Sequence, residues 1–372
     1  MKKQIDKGDK TIWIHAASLG EYEQGLPLLE ELKKKYTKNK IVLSFFSPSG
    51  YEVKKDKTPA DVVIYLPMDT IANAKQFVAL IKPELAIFIK YEIWPSYLRE
   101  LKKCKVPALL ASAIFSRKQI FFKPYGGFMR KSLKNISHFF VQDDNSKDLL
   151  NTIGFKNCTI SGDTRFDRVF QILKNDNELV FMATFKGEHR CMIAGSTWPE
   201  DETIIVDYIN QINENVKFVI APHHIKSSHI EKLVDSINKK TIRYSKMKEA
   251  TLDDVEVLII DSIGLLTKIY NYADIAYVGG GFSTGLHNTL EPAVFGIPVI
   301  IGPKYDGFKE AEDLVELNGI ISISNKNEFR RQLDALWSDN TYSKNTGKIN
   351  ADYIQKKQGA TKEVMSHIVK LL

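Results

Sequence analysis

The chain has 372 residues, 44% of them hydrophobic, with 52 Lys and Arg against 45 Asp and Glu and a net charge of +7. Since one hydrophobic core rarely grows beyond about 250–300 residues, we expect two domains. The sequence lacks an apolar run of about 18 residues and begins with polar residues, so we expect neither a transmembrane helix nor a secretory signal. Its three cysteines lack the spacing of a zinc site or of a disulfide framework.

The positive charge is concentrated in the first half of the chain. Residues 1–170 hold 29 basic and 18 acidic residues, a net charge of +11, whereas the remainder holds 23 and 27, a net charge of −4. Such an asymmetry favours an anionic partner of the N-terminal half, such as a phosphate, a phospholipid or a nucleic acid. A solvated lysine surface gives the same pattern, so charge alone leaves both interpretations open.

Short apolar segments alternate twice with polar, helix-compatible stretches. The first series is TIWIHAAS, KIVLSFFS, DVVIYLP, ELAIFIK, PALLASAI and HFFVQD, and the second is CMIAGST, KFVIAP, EVLIID, DIAYVGG, PVIIGP and GIISIS. Continuous apolar strands separated by helices are typical of parallel sheets that are covered on both faces. We therefore predict an α/β fold of two Rossmann-like, doubly wound domains facing a central cleft, where ligands bind beyond the carboxyl ends of the strands.

A stretch without an apolar strand, RVFQILKNDNELVFMATFKG, separates the two series. We place the N-terminal domain at residues 1–172 and the C-terminal domain at residues 188–345. The last segment, residues 346–372, has a helical pattern with no strand after it, and we expect it to pack back on the N-terminal domain.

Two glutamates follow predicted strands of the first domain. Glu21 comes after TIWIHAAS and Glu92 after ELAIFIK, each at a turn into a helix. A carboxylate at such a turn faces the cleft, where partial burial raises its pKa toward that of a general base. The structural alternatives are a capping box of Ser18 and Glu21, and a helix-dipole role for Glu92 ahead of Pro95.

Polar residues also end strands in the second domain, at Ser196-Thr197, at Pro222-His223-His224 and in VGGGFSTGLHNTLEP from residue 278. Hydroxyls, imidazoles and helix N-termini suit phosphate binding, and Glu291 is placed to accept hydrogen bonds from ribose hydroxyls. Ordinary helix capping and a tight glycine turn explain the same residues. The glycines do not form a dinucleotide fingerprint, and the paired histidines have no third ligand for a metal.

Several motifs together resemble the 3-deoxy-D-manno-octulosonic acid (Kdo) transferase family. WIHAASLGE, IKYEIWP, SGDTRFD, IAGSTWPEDE, APHH and GGGFSTGLHNTLEP occur in the order and spacing of that family and cover nearly the whole chain. The resemblance implies a GT-B glycosyltransferase of lipopolysaccharide biosynthesis, which transfers Kdo from CMP-Kdo to a lipid A precursor with inversion at the anomeric carbon. It also implies that neither a metal nor another cofactor is required, CMP-Kdo being the donor substrate.

The resemblance further implies roles for single residues. Glu21 would be the general base, and Glu92 and Arg165 would support the transition state. With the residues named above, the donor-binding set becomes Ser196, Thr197, Pro222, His223, His224, Gly264, Leu265, Gly280, Gly281, Asn288, Thr289, Leu290 and Glu291. The chain departs from the family pattern at several positions. His223 stands where the pattern has arginine, and Leu265 where it has glutamate. Lys90 stands where the pattern has an acid, and Gly281 where it has serine. These departures indicate a divergent branch or an altered donor choice.

A basic and aromatic segment, RKQIFFKPYGGFMRKSLK, occupies residues 117–134 in the positive half. Such a surface suits lipid headgroups. The predicted acceptor and membrane contacts are Lys118, Phe121, Phe122, Lys123, Arg130 and Lys131. The alternative is a core-facing helix with solvated lysines. We expect the protein at the cytoplasmic face of the bacterial inner membrane, either peripheral or through an N-terminal anchor missing from this chain.

Two other functions remain open at this point. One is a GT-B enzyme, transferase or epimerase, that acts on another nucleotide sugar. The other is a non-catalytic binder of anionic lipid or nucleic acid. Nucleic acid is disfavoured because the sequence has no RNP, KH or helix-turn-helix signature. Two acids facing the cleft favour catalysis over simple binding.

Overall fold

The computed structural model describes residues 5–6, 8–249, 252–283 and 285–372. The chain forms two compact units, Met1–Arg168 together with Lys357–Leu372, and Val169–Lys356. The first boundary falls inside the predicted range 1–172. The second unit reaches beyond the predicted range 188–345, because residues on either side of that range belong to the same compact unit.

The first unit is built on a parallel sheet. Its strands are β1 (Lys10–His15), β2 (Asn39–Phe45), β3 (Val62–Tyr65), β4 (Pro83–Ile89), β5 (Ala108–Ala113), β6 (His138–Val141) and β7 (Cys158–Ile160). Among the described residues the spatial order is β3-β2-β1-β4-β5-β6-β7. Ile12 and Ile14 of β1 face one hydrophobic cluster and Trp13 faces the other, so helices cover both faces of the sheet.

Helices connect these strands. They are α1 (Leu19–Lys35), α2 (Pro48–Lys54), α3 (Ile71–Ile81), α4 (Pro95–Lys103), α5 (Gly127–Leu133), α6 (Asp144–Thr152) and α7 (Thr164–Ile172), with a 3-10 turn at Ile120–Phe122. Local chemistry sets their starts: the side chains of Thr70 and Asp143 accept backbone N–H groups at the N-termini of α3 and α6. Helix α7 carries the chain from the first unit into the second.

The second unit repeats the arrangement. Its strands are β8 (Arg190–Thr197), β9 (Val216–Pro222), β10 (Thr241–Arg243), β11 (Val257–Ile259), β12 (Ile275–Val278), β13 (Val299–Ile301) and β14 (Ile320–Ser322). Within the part of the chain that the structure describes, they form a parallel sheet in the order β10-β11-β9-β8-β12-β13-β14. The predicted architecture of two Rossmann-like sheets is confirmed.

The helices of the second unit are α8 (Val180–Lys186), α9 (Pro199–Ile209), α10 (Ser227–Asp235), α11 (Leu266–Ile269), α12 (Leu290–Ala293), α13 (Lys309–Glu316), α14 (Lys326–Ser338) and α15 (Asn340–Lys356), with 3-10 turns at Tyr244–Glu249 and Tyr270–Tyr272. The final helix, α16 (Ala360–Ile368), belongs to the first unit. Val364 and Ile368 lie in the cluster that covers β1, and the ring of His367 lies 4.4 Å from that of His138.

The strand orders define where each sheet can bind a ligand. In the first unit the chain runs outward from β1 to β2 and β3 and then returns to β4 on the other side of β1. In the second unit β9 and β12 flank β8 in the same way. The carboxyl ends of β1 and β4, and of β8 and β12, are therefore the topological switch points at which open parallel sheets bind ligands.

Candidate active site

Glu21 lies at the switch point of the first unit, in the first turn of α1. Its Oε2 accepts hydrogen bonds from the backbone N–H groups of Ala17 at 2.6 Å and Ser18 at 3.2 Å. The carboxylate half of the predicted capping box is thus present. Only 7% of Glu21 is exposed, and burial together with the charge of Glu92 raises the pKa of Glu21 to about 7. The capping interaction therefore coexists with the properties of a general base.

Glu92 follows β4 on the neighbouring strand. Its Oε2 accepts a hydrogen bond from Trp94 Nε1 at 2.9 Å and lies 3.5 Å from His15 Nε2. At the start of α4 the backbone N–H of Ser96 is accepted by Asp69 and not by Glu92. The charge of Glu92 acts on Glu21, whose pKa it raises.

His15 is the residue of this site that the sequence did not single out. It ends β1 and has no exposed surface. Nδ1 lies 2.9 Å from Ser44 Oγ, and Ser44 Oγ accepts a hydrogen bond from Trp13 Nε1 at 2.8 Å. The available signal was a single imidazole in an otherwise apolar strand, TIWIH, at the last residue of the strand.

Arg165, at the start of α7, is oriented by an acidic neighbour. Its Nε and Nη2 both lie 2.8 Å from Asp163 Oδ2. Gln24 Nε2 donates to Asp163 Oδ1 at 2.8 Å. Because Gln24 stands one turn after Glu21 on α1, this chain of contacts ties Arg165 to the helix that carries Glu21.

In the second unit the loop after β8 carries Ser196 and Thr197. Ser196 has a left-handed backbone, φ 53°, which is uncommon for a residue with a side chain and recurs at functional turns. Thr197 is buried, and its Oγ1 donates to Glu202 Oε1 at 3.0 Å. The hydroxyl is therefore engaged inside the unit, and the donor contact of Thr197 stays a prediction.

Four rings cluster at the carboxyl ends of β8 and β9. Trp198 stacks on His223, with ring centroids 5.0 Å apart and planes 18° apart, and Trp198 Nε1 donates to His287 Nε2 at 3.0 Å. The ring of His224 lies 4.7 Å from that of His223. Burial, followed by the charge of His223, lowers the pKa of His287 to about 4. The described residues contain no group of three His, Cys, Asp or Glu side chains that could hold a metal ion.

The glycines after β12 are required by backbone packing. Gly280 has φ 93°, and a Cβ there would lie 2.2 Å from the carbonyl oxygen of Gly285. A Cβ at Gly281 would lie 2.8 Å from the backbone of Gly302. Both glycines are buried, so they allow the turn itself, and the predicted close approach to a ligand has no direct support.

The segment around α12 joins two of the predicted donor segments. Asn288 Nδ2 donates to Glu291 Oε1 at 3.0 Å, and Asn288 Oδ1 accepts the backbone N–H of Leu290 at 3.1 Å. Thr267 Oγ1, on α11 just after the Gly264-Leu265 turn, donates to Glu291 Oε2 at 2.8 Å. The predicted capping interpretation is thus partly realised, with Asn288 capping and both oxygens of Glu291 engaged.

Three further predicted donor contacts are buried in the second unit. Pro222, Thr289 and Leu290 are all covered by protein, and Leu290 is 1% exposed. Their side chains pack inside the unit, so a contact between these residues and the donor stays a prediction that rests on the backbone. Asn288, His223, His224 and Gly264 are exposed at the same sheet edge.

The basic and aromatic segment divides into a buried and an exposed part. Phe121 is buried against Phe115, with ring centroids 6.2 Å apart, and is therefore not a surface contact. Arg130 donates to the carbonyl oxygens of Phe121 and Lys123 and so holds the loop together. The exposed members include Lys118 and Lys131, together with Tyr125 and Phe128, which are 77% and 73% exposed. Phe122 and Lys123 are half-buried.

Among the residues described, no helix combines the length and apolarity that crossing a bilayer requires.

Comparison with known proteins adds the family context. The family model described as 3-Deoxy-D-manno-octulosonic-acid transferase (kdotransferase) matches residues 1–168. A relative named 3-deoxy-D-manno-octulosonic acid transferase, from Aquifex aeolicus, is 29% identical over 345 residues and covers 91% of this chain and 89% of its own length. Relatives with the same name from Rickettsia bellii and Haemophilus influenzae are 27% and 28% identical; they cover 96% and 95% of this chain and 87% and 85% of their own.

Solved structures share the fold. A UDP-GlcNAc 2-epimerase from Neisseria meningitidis matches with a TM-score of 0.68 at 14% identity, covering 97% of this chain and 100% of that one. MurG from Acinetobacter baumannii matches with a TM-score of 0.59 at 12% identity, covering 97% and 99%. At such identities the likeness concerns the fold alone, and it places the chain among GT-B-like proteins.

Proposed function

The chain belongs to the 3-deoxy-D-manno-octulosonic acid (Kdo) transferase family, and on that premise we propose that it transfers Kdo from CMP-Kdo to a lipid A precursor in lipopolysaccharide biosynthesis. The observation that carries the proposal is Glu21, a buried carboxylate at the switch point of the first unit with a pKa of about 7. A base whose pKa is close to the working pH combines a useful fraction of the reactive form with a strong pull on the proton.

The proposed reaction is a single displacement. Glu21 removes the proton of an acceptor hydroxyl, and the oxygen attacks the anomeric carbon of Kdo. The bond from that carbon to the phosphate oxygen breaks, CMP leaves with the bonding electrons, and the configuration inverts. Glu92 and Arg165 support the transition state, and their neighbours Trp94 and Asp163 orient them.

We assign the donor to the second unit. The exposed residues at its switch point, among them Asn288, His223 and His224, offer polar groups to the nucleotide, and Glu291 offers carboxylate oxygens to the ribose. The Trp198 and His223 rings present stacked aromatic faces at the same sheet edge. His223 supplies a neutral ring rather than a fixed cation, because partial desolvation of the ring and the neighbouring His224 lower its pKa although the residue reaches the surface.

We assign the anionic acceptor to the first unit and the protein to the cytoplasmic face of the inner membrane. The support is the net charge of +11 in residues 1–170 and the exposed surface formed by Lys118, Tyr125, Phe128 and Lys131. Lysines attract anionic headgroups, and tyrosine and phenylalanine rings suit the interfacial layer.

The test is direct. Incubation with CMP-Kdo and a tetraacylated lipid A precursor, followed by mass spectrometry, should show product that is heavier by one or more Kdo residues, and the mass increments count the additions. UDP-N-acetylglucosamine serves as the matched donor control. Turnover of that nucleotide with no Kdo transfer would instead support the alternative of a GT-B epimerase or transferase for another sugar.

A second experiment tests whether the reaction needs a cofactor. We propose that no metal or other cofactor takes part, because Glu21 is the proton acceptor and the resemblance to the Kdo transferases implies none. Turnover should be unchanged by EDTA after dialysis, and a loss that added Mg²⁺ restores would contradict this.

A further inference from the structure

His15 is completely buried, and one of its ring nitrogens faces a carboxylate. Among the described residues, Nε2 of this ring makes no hydrogen bond, and it points toward Glu92 Oε2 at 3.5 Å. Aromatic rings surround the imidazole, with Trp94 at 5.3 Å and Phe88 at 6.0 Å between ring centroids. A polar nitrogen without a partner is costly in such surroundings, so its orientation toward a carboxylate calls for a physical reason.

The contacts on the other side of the ring favour one tautomer. Nδ1 lies closer to Ser44 Oγ, at 2.9 Å, than to Ser44 O, at 3.1 Å, and Ser44 O also accepts the backbone N–H of Ala16 at 3.1 Å within the sheet. Ser44 Oγ accepts Trp13 Nε1, which leaves its own proton available for His15 Nδ1 at 2.9 Å. A neutral imidazole that accepts at one nitrogen carries its proton on the other, so Nε2–H faces Glu92.

We propose that His15 is a positioning residue for the transfer reaction: a relay of Trp13, Ser44 and His15 presents an N–H to Glu92 and fixes its carboxylate beside Glu21. His15 does not touch substrate, because none of its surface is exposed. The expected effect of His15 on kcat rests on the proposed function, whereas the tautomer of its ring does not depend on that function.

The 3.5 Å separation is consistent with this role. It exceeds hydrogen-bond length, but catalytic hydrogen bonds are often long without substrate and shorten in the complex. Trp94 Nε1 already holds the same oxygen at 2.9 Å, so a small movement of Glu92 brings a second donor to Oε2. Two donors inside a low-dielectric pocket restrict the carboxylate more than one does.

Two substitutions at the same position separate positioning from packing. In His15→Gln the amide nitrogen takes the place of Nε2, whereas in His15→Asn it takes the place of Nδ1 and leaves Glu92 without the donor. We expect His15→Asn to lower kcat about tenfold to a hundredfold, since a hydrogen bond to a charged group is lost, with KM for CMP-Kdo unchanged. His15→Gln should recover most of that loss. Equal loss in both variants would overturn the proposal.

A substitution at Ser44, the partner of His15 on β2, provides a second kinetic test. Ser44→Ala removes the hydroxyl that donates to Nδ1, so the imidazole proton moves to Nδ1 to reach Ser44 O, 3.1 Å away. Nε2 then presents a lone pair to Glu92, and kcat should fall as in His15→Asn. Thr11→Val is the matched control, because Thr11 lies on β1, the strand of His15, and its buried Oγ1 donates to Ile81 O at the opposite end of that strand. A loss in Thr11→Val equal to that in Ser44→Ala would overturn the relay.

The tautomer can be measured without any turnover. Long-range ¹H–¹⁵N correlation spectra of ¹⁵N-histidine-labelled protein distinguish protonated from unprotonated ring nitrogens, and His15→Gln assigns the signal among the 8 histidines. We expect Nε2–H in the wild type and Nδ1–H in Ser44→Ala. Nδ1–H in the wild type would overturn the proposal. If the wild type transfers no Kdo, the proposed function fails, and this spectrum still decides the relay.

Discussion

The charge of Glu92 raises the pKa of Glu21 across the ends of two adjacent strands, β1 and β4, adding to the effect of burial. The two acids are about 70 residues apart in sequence and meet because β4 returns to the other side of β1. One carboxylate therefore prepares the other to accept a proton near neutral pH.

Replacing Glu21 by glutamine should abolish most transfer. The amide cannot take the proton of the acceptor, and general-base catalysis contributes about 10²–10⁴-fold. Its oxygen can still accept the backbone N–H groups of Ala17 and Ser18, so the start of α1 should stay intact. Single-turnover rates and CMP affinity, measured together, check the prediction. Near wild-type turnover would remove Glu21 from its role.

The same substitution should change how stability depends on pH. The pKa of Glu21 is raised in the folded protein, so its carboxyl contributes stability below its ordinary pKa that is lost as pH rises toward about 7. Glutamine does not titrate. The stability of Glu21→Gln relative to wild type should therefore increase between pH 4.5 and pH 8, by up to roughly 3 kcal/mol. Urea unfolding at the two pH values measures it, and a difference independent of pH would contradict the raised pKa.

Glu92→Gln should shift the pH profile of the reaction. Activity requires deprotonated Glu21, so kcat/KM should rise with pH through about pH 7 in the wild type. Removing the neighbouring negative charge lowers the pKa of Glu21, and the acidic limb should move to lower pH while the maximal rate falls. An unshifted acidic limb would show that another group controls it.

Glu291→Ala should weaken donor binding more than it weakens the fold. Losing an acceptor of ribose hydroxyls costs about 1–3 kcal/mol, which calorimetry with CMP would detect. Thr267→Val is the matched control, because it removes a protein partner of Glu291 and leaves the carboxylate in place. CMP affinity that is lowered equally by both changes would favour a purely structural role for Glu291.

A variant with four substitutions should bind anionic vesicles more weakly than the wild type, and the loss should depend on salt. The substitutions are Lys118→Gln, Lys131→Gln, Tyr125→Ser and Phe128→Ser. Each lysine near an anionic surface is worth about 1 kcal/mol, and the attraction decays over a Debye length of about 8 Å at physiological salt. Arg130 stays unchanged because it holds its own loop.

The control for that variant removes two positive charges from α15, with Lys344→Gln and Lys348→Gln, both exposed. Co-sedimentation with anionic and neutral vesicles gives the comparison. Equal losses in both variants would show that net charge, and not this surface, governs binding. Thermal melting confirms that each variant is folded.

The repeated pattern of apolar strands was sufficient to predict both sheets, because buried parallel strands are almost continuously hydrophobic. Two strands escaped prediction, β7 and β10. Each forms an edge of its sheet and contains no buried residue, so neither produces an apolar run.

The catalytic roles of Glu21 and Glu92 stay predictions. Their positions after two strands could be read from the sequence, whereas the effect of one charge on the other depends on strand order. Thr197 and Thr289 have the residue type of a ligand contact, but the loop turns their side chains into the unit. His15 was missed because its importance comes from Ser44, its partner across β1 and β2, and register cannot be read from one strand.

The return of α16 to the first unit has a consequence for biosynthesis. Val364, Met365 and Ile368 complete the cluster that covers Leu28 and Leu29 of α1, but they follow the whole second unit in sequence. During translation the second unit can bury its core as one continuous stretch, whereas the first must wait with an uncovered apolar face until residue 368 has been made. The half of the chain that is synthesised first is therefore the half that finishes folding last.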